Sequence, residues 1–204
     1  MSLENEIDQI VLPKPNESLA ADLHDASKIH YSIAIKQSPQ TVFAFWRNFE
    51  NLPLFMKNLA LVEVKSQKLS HWVVDLSYNA QARWDAQIIA EVPGEMISWQ
   101  SVGDSEVEQA GSVWFLEGPQ KDSCVVRLHM AYTLPGGWLA EMVTKLIGED
   151  VDTLIKSSLE SLKELLESKK FSDQEKSDLG SYPAFTSESN KSYDYSREEK
   201  DHLV

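Results

Sequence analysis

Imidazole titrates near neutrality and ligates metals, so the five histidines, His24, His30, His71, His129 and His202, are the first candidates for chemistry. None stands in an H-x-x-x-H or H-E-x-x-H arrangement, so no helix face carries two of them at ligand spacing. His71 precedes Trp72 and His129 precedes Met130, and on a strand that alternation turns each imidazole away from its apolar neighbour. Glu63, Asp75, Asp85, Glu91 and Glu117 fall in strand-like segments, and Asp85 follows Trp84, which assigns its carboxylate to the opposite, solvated face. Cys124 is the single cysteine, which excludes an internal disulfide and a cysteine-cluster zinc site, and its place in the apolar run "SCVVRLHMAY" makes it a small core or near-surface residue. No G-x-S-x-G, phosphate loop or dinucleotide glycine pattern occurs, and the glycines of "PGGW" serve backbone geometry. The sequence therefore offers no catalytic residue, no metal site and no cofactor motif. What remains are amphipathic aromatics, Tyr31, Tyr78, Trp99 and Tyr132, which can hold a polar tip beside an apolar ligand or simply pack. Arg47 and Arg83 are expected to pair with Glu50 and Asp85 on the surface.

The elements that would position these aromatics are legible as periodicities. "IHYSIAI" alternates Ile29, Tyr31, Ile33 and Ile35 against polar or small residues, as a half-buried strand does. Next, Ser38 suits an N-cap, Pro39 suits the first helical position, and Val42, Phe43, Phe45, Trp46 and Phe49 mark an apolar helix face. A second short helix is expected from Pro53, with Leu52, Phe55 and Met56 on its apolar side. Six strands follow: "LVEVKS", "SHWVVDLSY", "QARWDAQIIAEV", "EMISWQSV", "EVEQAGSVWFLEG" and "SCVVRLHMAYTL". The turns between them, "VPGE" among them, are short enough to imply an antiparallel meander. From Trp138 to Leu166 apolar residues recur at intervals of three and four, which predicts one long helix on the order of 45 Å in length, lying across a sheet.

Composition bounds the rest. The 204 residues suit one domain with extensions, and 42% hydrophobic residues suffice for a core. The boundaries expected are a flexible arm over 1–27, a domain over 28–169, and a polar, acidic, disordered tail over 170–204. The tail aromatics Tyr182, Phe185, Tyr193 and Tyr195 could form a short motif for a protein partner. Net charge is −13 with no basic stripe, which argues against nucleic-acid binding and against attraction to an anionic membrane. No run approaches the roughly 18 apolar residues that span a bilayer. The acidic N-terminus "MSLENEIDQIVLPKP" lacks the basic and apolar regions of a signal peptide, so a cytoplasmic location is expected.

The order strand, two helices, six strands, long helix resembles the helix-grip layout of the START-like (Bet v 1-like, SRPBCC) superfamily. "SIAIKQSPQTVFAFWRNFENLPLFMKNLALVEV" is similar to the opening of bacterial polyketide cyclase/dehydrase-type members, with their W-x-N/D-x-E-N-L-P-x-F-M signature. "HWVVDL", "WDAQIIAEVPGEMISWQS" and "AGSVWF" resemble the strands that follow, and "YTLPGGWLAEMVTKLIGED" the approach to the C-terminal helix, with Leu134 and Ala140 in place of the usual Pro and Gly. The resemblance covers 28 to about 169. It implies an α+β fold in which a curved, seven-stranded antiparallel sheet grips a long C-terminal helix around an apolar cavity.

On that fold, Trp72, Tyr78, Trp84, Ala86 and Phe115 of the sheet and Met142 and Leu146 of the helix are expected to line a ligand site, with Phe55 and Met56 of "LPLFM" as its lid. The small side chains of Ala82 and Ala86 beside the indoles would preserve its space. Inward positions read as nearly all apolar, which favours a binder or carrier of a hydrophobic small molecule: a lipid, a quinone or an aromatic metabolite. A cyclase/dehydrase-type enzyme, in which one Tyr, His or Asp moves a proton, is the alternative. An interaction module using the cavity rim and the tails is a third.

Overall fold

The computed structural model describes residues 27–76, 80–133, 151–168 and 171. The first strand, β1 (Ser27–Ile35), is followed by helix α1 (Pro39–Arg47) and a 3-10 helix (Phe49–Leu54). Six strands then run in succession: β2 (Leu59–Val64), β3 (Leu69–Asp75), β4 (Gln81–Val92), β5 (Met96–Val102), β6 (Glu108–Glu117) and β7 (Cys124–Thr133). Helix α2 (Val151–Leu166) closes the described chain. All seven strands form one antiparallel sheet in the order β1-β7-β6-β5-β4-β3-β2. The meander runs in sequence from β2 to β7, and β1 returns to the far edge beside β7, which is the helix-grip topology expected.

Local chemistry sets the boundaries. Ser38 caps α1, its Oγ accepting from the Thr41 amide at 3.2 Å, and Pro39 stands at the first turn, where no intrahelical donor is needed. The short helix after it is a 3-10 turn that starts at Phe49, four residues before the expected Pro53, because Pro53 is accommodated inside it. In the β4–β5 turn the Glu95 amide donates to the Val92 carbonyl at 2.9 Å, and Gly94 takes φ +78° behind Pro93, the backbone a type II turn requires. A register shift between Ile88 and Ala90, and another between Leu59 and Leu61, mark bulges that bend the strands.

The inner face follows the predicted parity. Trp72 stands opposite Trp84 and Val74 opposite Ala82, and Val113 and Phe115 continue that face on β6. Helix α2 packs across it with Leu159, Leu162 and Leu166 fully buried. Its C-terminal end is tied down by polar bonds: Lys163 Nζ donates to the Ala34 carbonyl at 2.7 Å, and Gln37 Nε2 to the Leu166 carbonyl at 2.8 Å. The predicted helix before Val151, both terminal segments and the histidines His24 and His202 lie outside the described residues.

The surface pairs differ from expectation. Arg47 Nε donates to both carboxylate oxygens of Glu91 at 3.0 Å, across 44 residues of chain, in place of its neighbour Glu50. Arg83 donates to Gln81 Oε1 at 2.6 Å and leaves Asp85 alone. Asp85 instead meets His71 at 2.7 Å and Lys65 at 3.2 Å, because antiparallel pairing sets His71 directly opposite it on the outer face. The His71 hydrogen bond is the main reason that its carboxyl lies below the ordinary range.

Candidate functional site

Between the sheet and α2 lies a cavity of about 190 Å³. Its wall draws on nearly every element. Trp46 comes from α1, Phe49 from the 3-10 helix, Trp72, Trp84 and Trp99 from β3, β4 and β5, Leu128 from β7, and Leu154 and Ile155 from α2. Four tryptophans thus meet at one void. Among the described lining residues, Asn58, Gln109, Tyr132 and Ser158 are the only hydrogen-bonding side chains besides the indoles, and no Asp, Glu, Lys, Arg or His stands there.

Three of the residues expected at the site do line it: Trp72, Trp84 and Met56. Three others are corrected by the packing. Ala86 is 1% exposed but stands off the cavity wall, paired with Ser70 and Ser101 on the neighbouring strands. Phe115 is consumed by an aromatic cluster with Phe43 and Trp46, ring centroids 5.4 and 6.0 Å away. Phe55 is no lid: it is 1% exposed and wedged against Trp46 and Phe45. The residue left out in solvent at that helix is Leu54. Tyr78, Met142 and Leu146 lie outside the described residues.

Ala82, expected only to face the helix and preserve space, lies on the wall itself, as do the amphipathic candidates Trp99 and Tyr132. Gln109 was missed. Its signal was present: in "EQAGSVWF" it has the parity of Gly111, Val113 and Phe115, so it had to point inward with them.

Five of the polar side chains of the wall fall into two groups. Trp72 Nε1 donates to Ser70 Oγ at 2.8 Å, and Ser158 Oγ to the Leu154 carbonyl at 2.7 Å, so both are satisfied. Trp84 Nε1, Trp99 Nε1 and Gln109 Nε2 are buried and have no hydrogen-bond partner among the described residues. The placement of two of these is tightly fixed. A Cβ on Gly111 would lie 2.5 Å from the Trp99 ring, so only glycine lets that indole settle onto β6. The Gln109 backbone is held by Ser101, whose Oγ accepts from the Gln109 amide at 3.0 Å.

Other potentially reactive groups lie off the wall. Cys124 is fully buried on β7, and burial, with Glu117 nearby, pushes its thiol up to about 12, so it stays protonated and inert. His129 sits on the outer face against Trp114 and His30, with ring centroids 4.9 and 4.4 Å away. Among the described residues no cluster of His, Cys, Asp and Glu could hold a metal ion, and no helix is long and apolar enough to cross a membrane.

Comparison with known proteins places this geometry in a class. Residues 35–160 match the family described as polyketide cyclase / dehydrase and lipid transport, and the chain belongs to that family. An uncharacterized 17.2 kDa protein of Streptomyces lincolnensis is 31% identical over 144 residues, spanning 69% of this chain and 90% of its own. Among solved structures, a Deinococcus radiodurans protein superposes with a TM-score of 0.57 at 25% identity, covering 69% of this chain and 97% of its own. A START superfamily protein of Mycobacterium smegmatis (TM-score 0.52, 15% identity, 68% and 98% coverage) and the Zhui aromatase/cyclase of Streptomyces (0.52, 10%, 69% and 96%) share the fold.

Proposed function

We propose that the domain, spanning 28–169, binds a hydrophobic small molecule in the cavity between the sheet and the C-terminal helix, and that it holds or carries this molecule in the cytoplasm without transforming it. The observation that carries the reading is the character of the wall: a space of about 190 Å³ bounded by indoles, aliphatic side chains and Met56, without a charged residue among the described lining. Apolar cavities of roughly 150 Å³ already admit a benzene ring, so this volume suits a ligand of one to two fused rings or a short branched chain. A cyclase or dehydrase would need a proton-moving group at the reacting atoms. Tyr132 is the one titratable side chain on the described wall, and no base stands beside it there. The family's description, which joins cyclisation to lipid transport, is compatible with either activity, and the chemistry of the wall favours binding.

The test is uptake of an environment-sensitive apolar dye by the wild-type protein and by Ala82→Phe. Ala82 is on the wall, so a phenyl ring there would occupy the ligand's space. The wild type should bind the dye with enhanced emission. Ala82→Phe should lose that signal while its thermal midpoint stays level or rises, since filling a void adds contacts. Dye uptake that is absent in the wild type, or unchanged in the variant, would defeat the proposal.

A further inference from the structure

Three hydrogen-bond donors on the cavity wall have nothing among the described residues to donate to, and from them we infer the polarity of the ligand, an inference that rests on the binding role proposed above. Trp84 Nε1, Trp99 Nε1 and Gln109 Nε2 are all buried and unpartnered in residues no more than 8% exposed. All three residues line the same cavity. A buried donor left unpaired costs free energy, and nearly all such groups in folded proteins find a partner. Three on one wall are therefore either hydrated or kept for an acceptor that arrives with the ligand.

The register sets them on the inner face of three adjacent strands. Ala86, Ser101 and Gln109 form one cross-strand row on the inner face; Trp84 is the next inward residue to one side of that row, and Trp99 the next to the other. The donors thus occupy three adjacent strands around a single row. An indole nitrogen can only donate, so whatever meets the two tryptophans must be an acceptor, and the Gln109 amide can likewise present its NH₂ to one. Gly111 contributes by letting the Trp99 indole rest on β6, the strand that carries Gln109.

The ligand is accordingly an apolar molecule with a neutral carbonyl acceptor, a ketone, quinone or ester, whose oxygen is received by the indole N–H groups and the Gln109 amide. A carboxylate fits less well. No Lys, Arg or His stands on the described wall to offset the cost of burying its charge. A plain hydrocarbon would fill the space and leave the donors unsatisfied.

The experiment compares tetralin, 1-tetralone and tetralin-1-carboxylate, which share one bicyclic skeleton, by calorimetry on the full-length protein and by following the indole N–H resonances. 1-Tetralone should bind about ten-fold more tightly than tetralin, and the carboxylate no better than tetralin. On binding the ketone, but not the hydrocarbon, the Trp84 and Trp99 indole protons should move downfield. Trp84→Phe and Trp99→Phe identify those two signals, and each should reduce 1-tetralone affinity several-fold more than it reduces tetralin affinity, since both ligands lose the same apolar contact and only the ketone loses the donor. Should either variant fold poorly, the wild-type indole shifts still decide. Equal affinity for ketone and hydrocarbon, tightest binding of the carboxylate, or unmoved indole protons would overturn the inference and leave the apolar cavity standing. Failure of all three compounds to bind would remove the binding proposal and this inference together.

Discussion

His129 shows how one side chain can register pH far from the cavity. Burial beside Trp114, then the neighbouring His30 and Arg127, push its pKa from the ordinary 6.5 down to about 4. In the unfolded chain the ring takes up a proton near 6.5, while in the folded chain it stays neutral until about pH 4, so folding excludes a proton across that window. Its contribution to stability is therefore whole above pH 6.5, declines as the pH falls, and reaches its full loss below 4. Urea midpoints measured at several pH values should fall more steeply for the wild type than for His129→Gln between pH 6.5 and 4. Parallel curves would show that the imidazole is solvated. At the cavity, polarity is likewise set residue by residue: of the three indoles that β3, β4 and β5 bring to the wall, that of Trp72 is satisfied by Ser70, and those of Trp84 and Trp99 are not.

Among the elements, α2 is divided along its length. Its C-terminal half is clamped, with Leu159, Leu162 and Leu166 fully buried and the Lys163 and Gln37 bonds joining it to β1 and the start of α1. Its N-terminal half, carrying Val151, Leu154 and Ile155, borders the cavity. The sequence presents Leu154 and Leu162 as equivalent inward leucines, and the structure separates them. Leu162→Ala should destabilise by ~2–5 kcal/mol, since it opens a hole in close-packed core. Leu154→Ala should cost measurably less, because its side chain already faces a void and makes fewer contacts. Lys156→Ala and Glu164→Ala, on the exposed side, should stay within about 0.5 kcal/mol. Denaturant titrations of the four variants test the ordering, and equal losses at Leu154 and Leu162 would mean that the helix is gripped uniformly.

For the molecule as a whole, the balance between filled and empty core is set by which inward residues converge. The alanines of β4 illustrate it. Ala82 borders the void, whereas Ala86, two inward positions further along, is enclosed between Ser70 and Ser101 and their neighbours. Ala86→Phe should therefore lower stability by ~1–3 kcal/mol through overpacking, the opposite of the tolerance expected at Ala82. Thermal unfolding of the pair distinguishes them. A stabilised Ala86→Phe would extend the cavity further along β4 than the packing indicates.

What the sequence determined by itself is what short-range periodicity can encode. Alternation fixes which side of each strand faces inward, so Trp72, Trp84 and Phe115 were correctly turned toward the helix, and Ser38 with Pro39 marked the start of α1. Short polar turns between strands dictated the antiparallel meander. The same parity held Gln109, obscured because it is polar in a segment otherwise read for apolar residues. Only the tertiary structure decided which inward residues border space and which consume it. Phe115 and Phe55 are lost to contacts with Phe43, Phe45 and Trp46, helix residues whose distance from the sheet no strand pattern records. The pairing of Arg47 with Glu91, and the indoles of Trp84 and Trp99 left without a partner among the described residues, arise in the same way. Facing is a property of the local backbone, but a contact or a void depends on where several distant elements come to rest together.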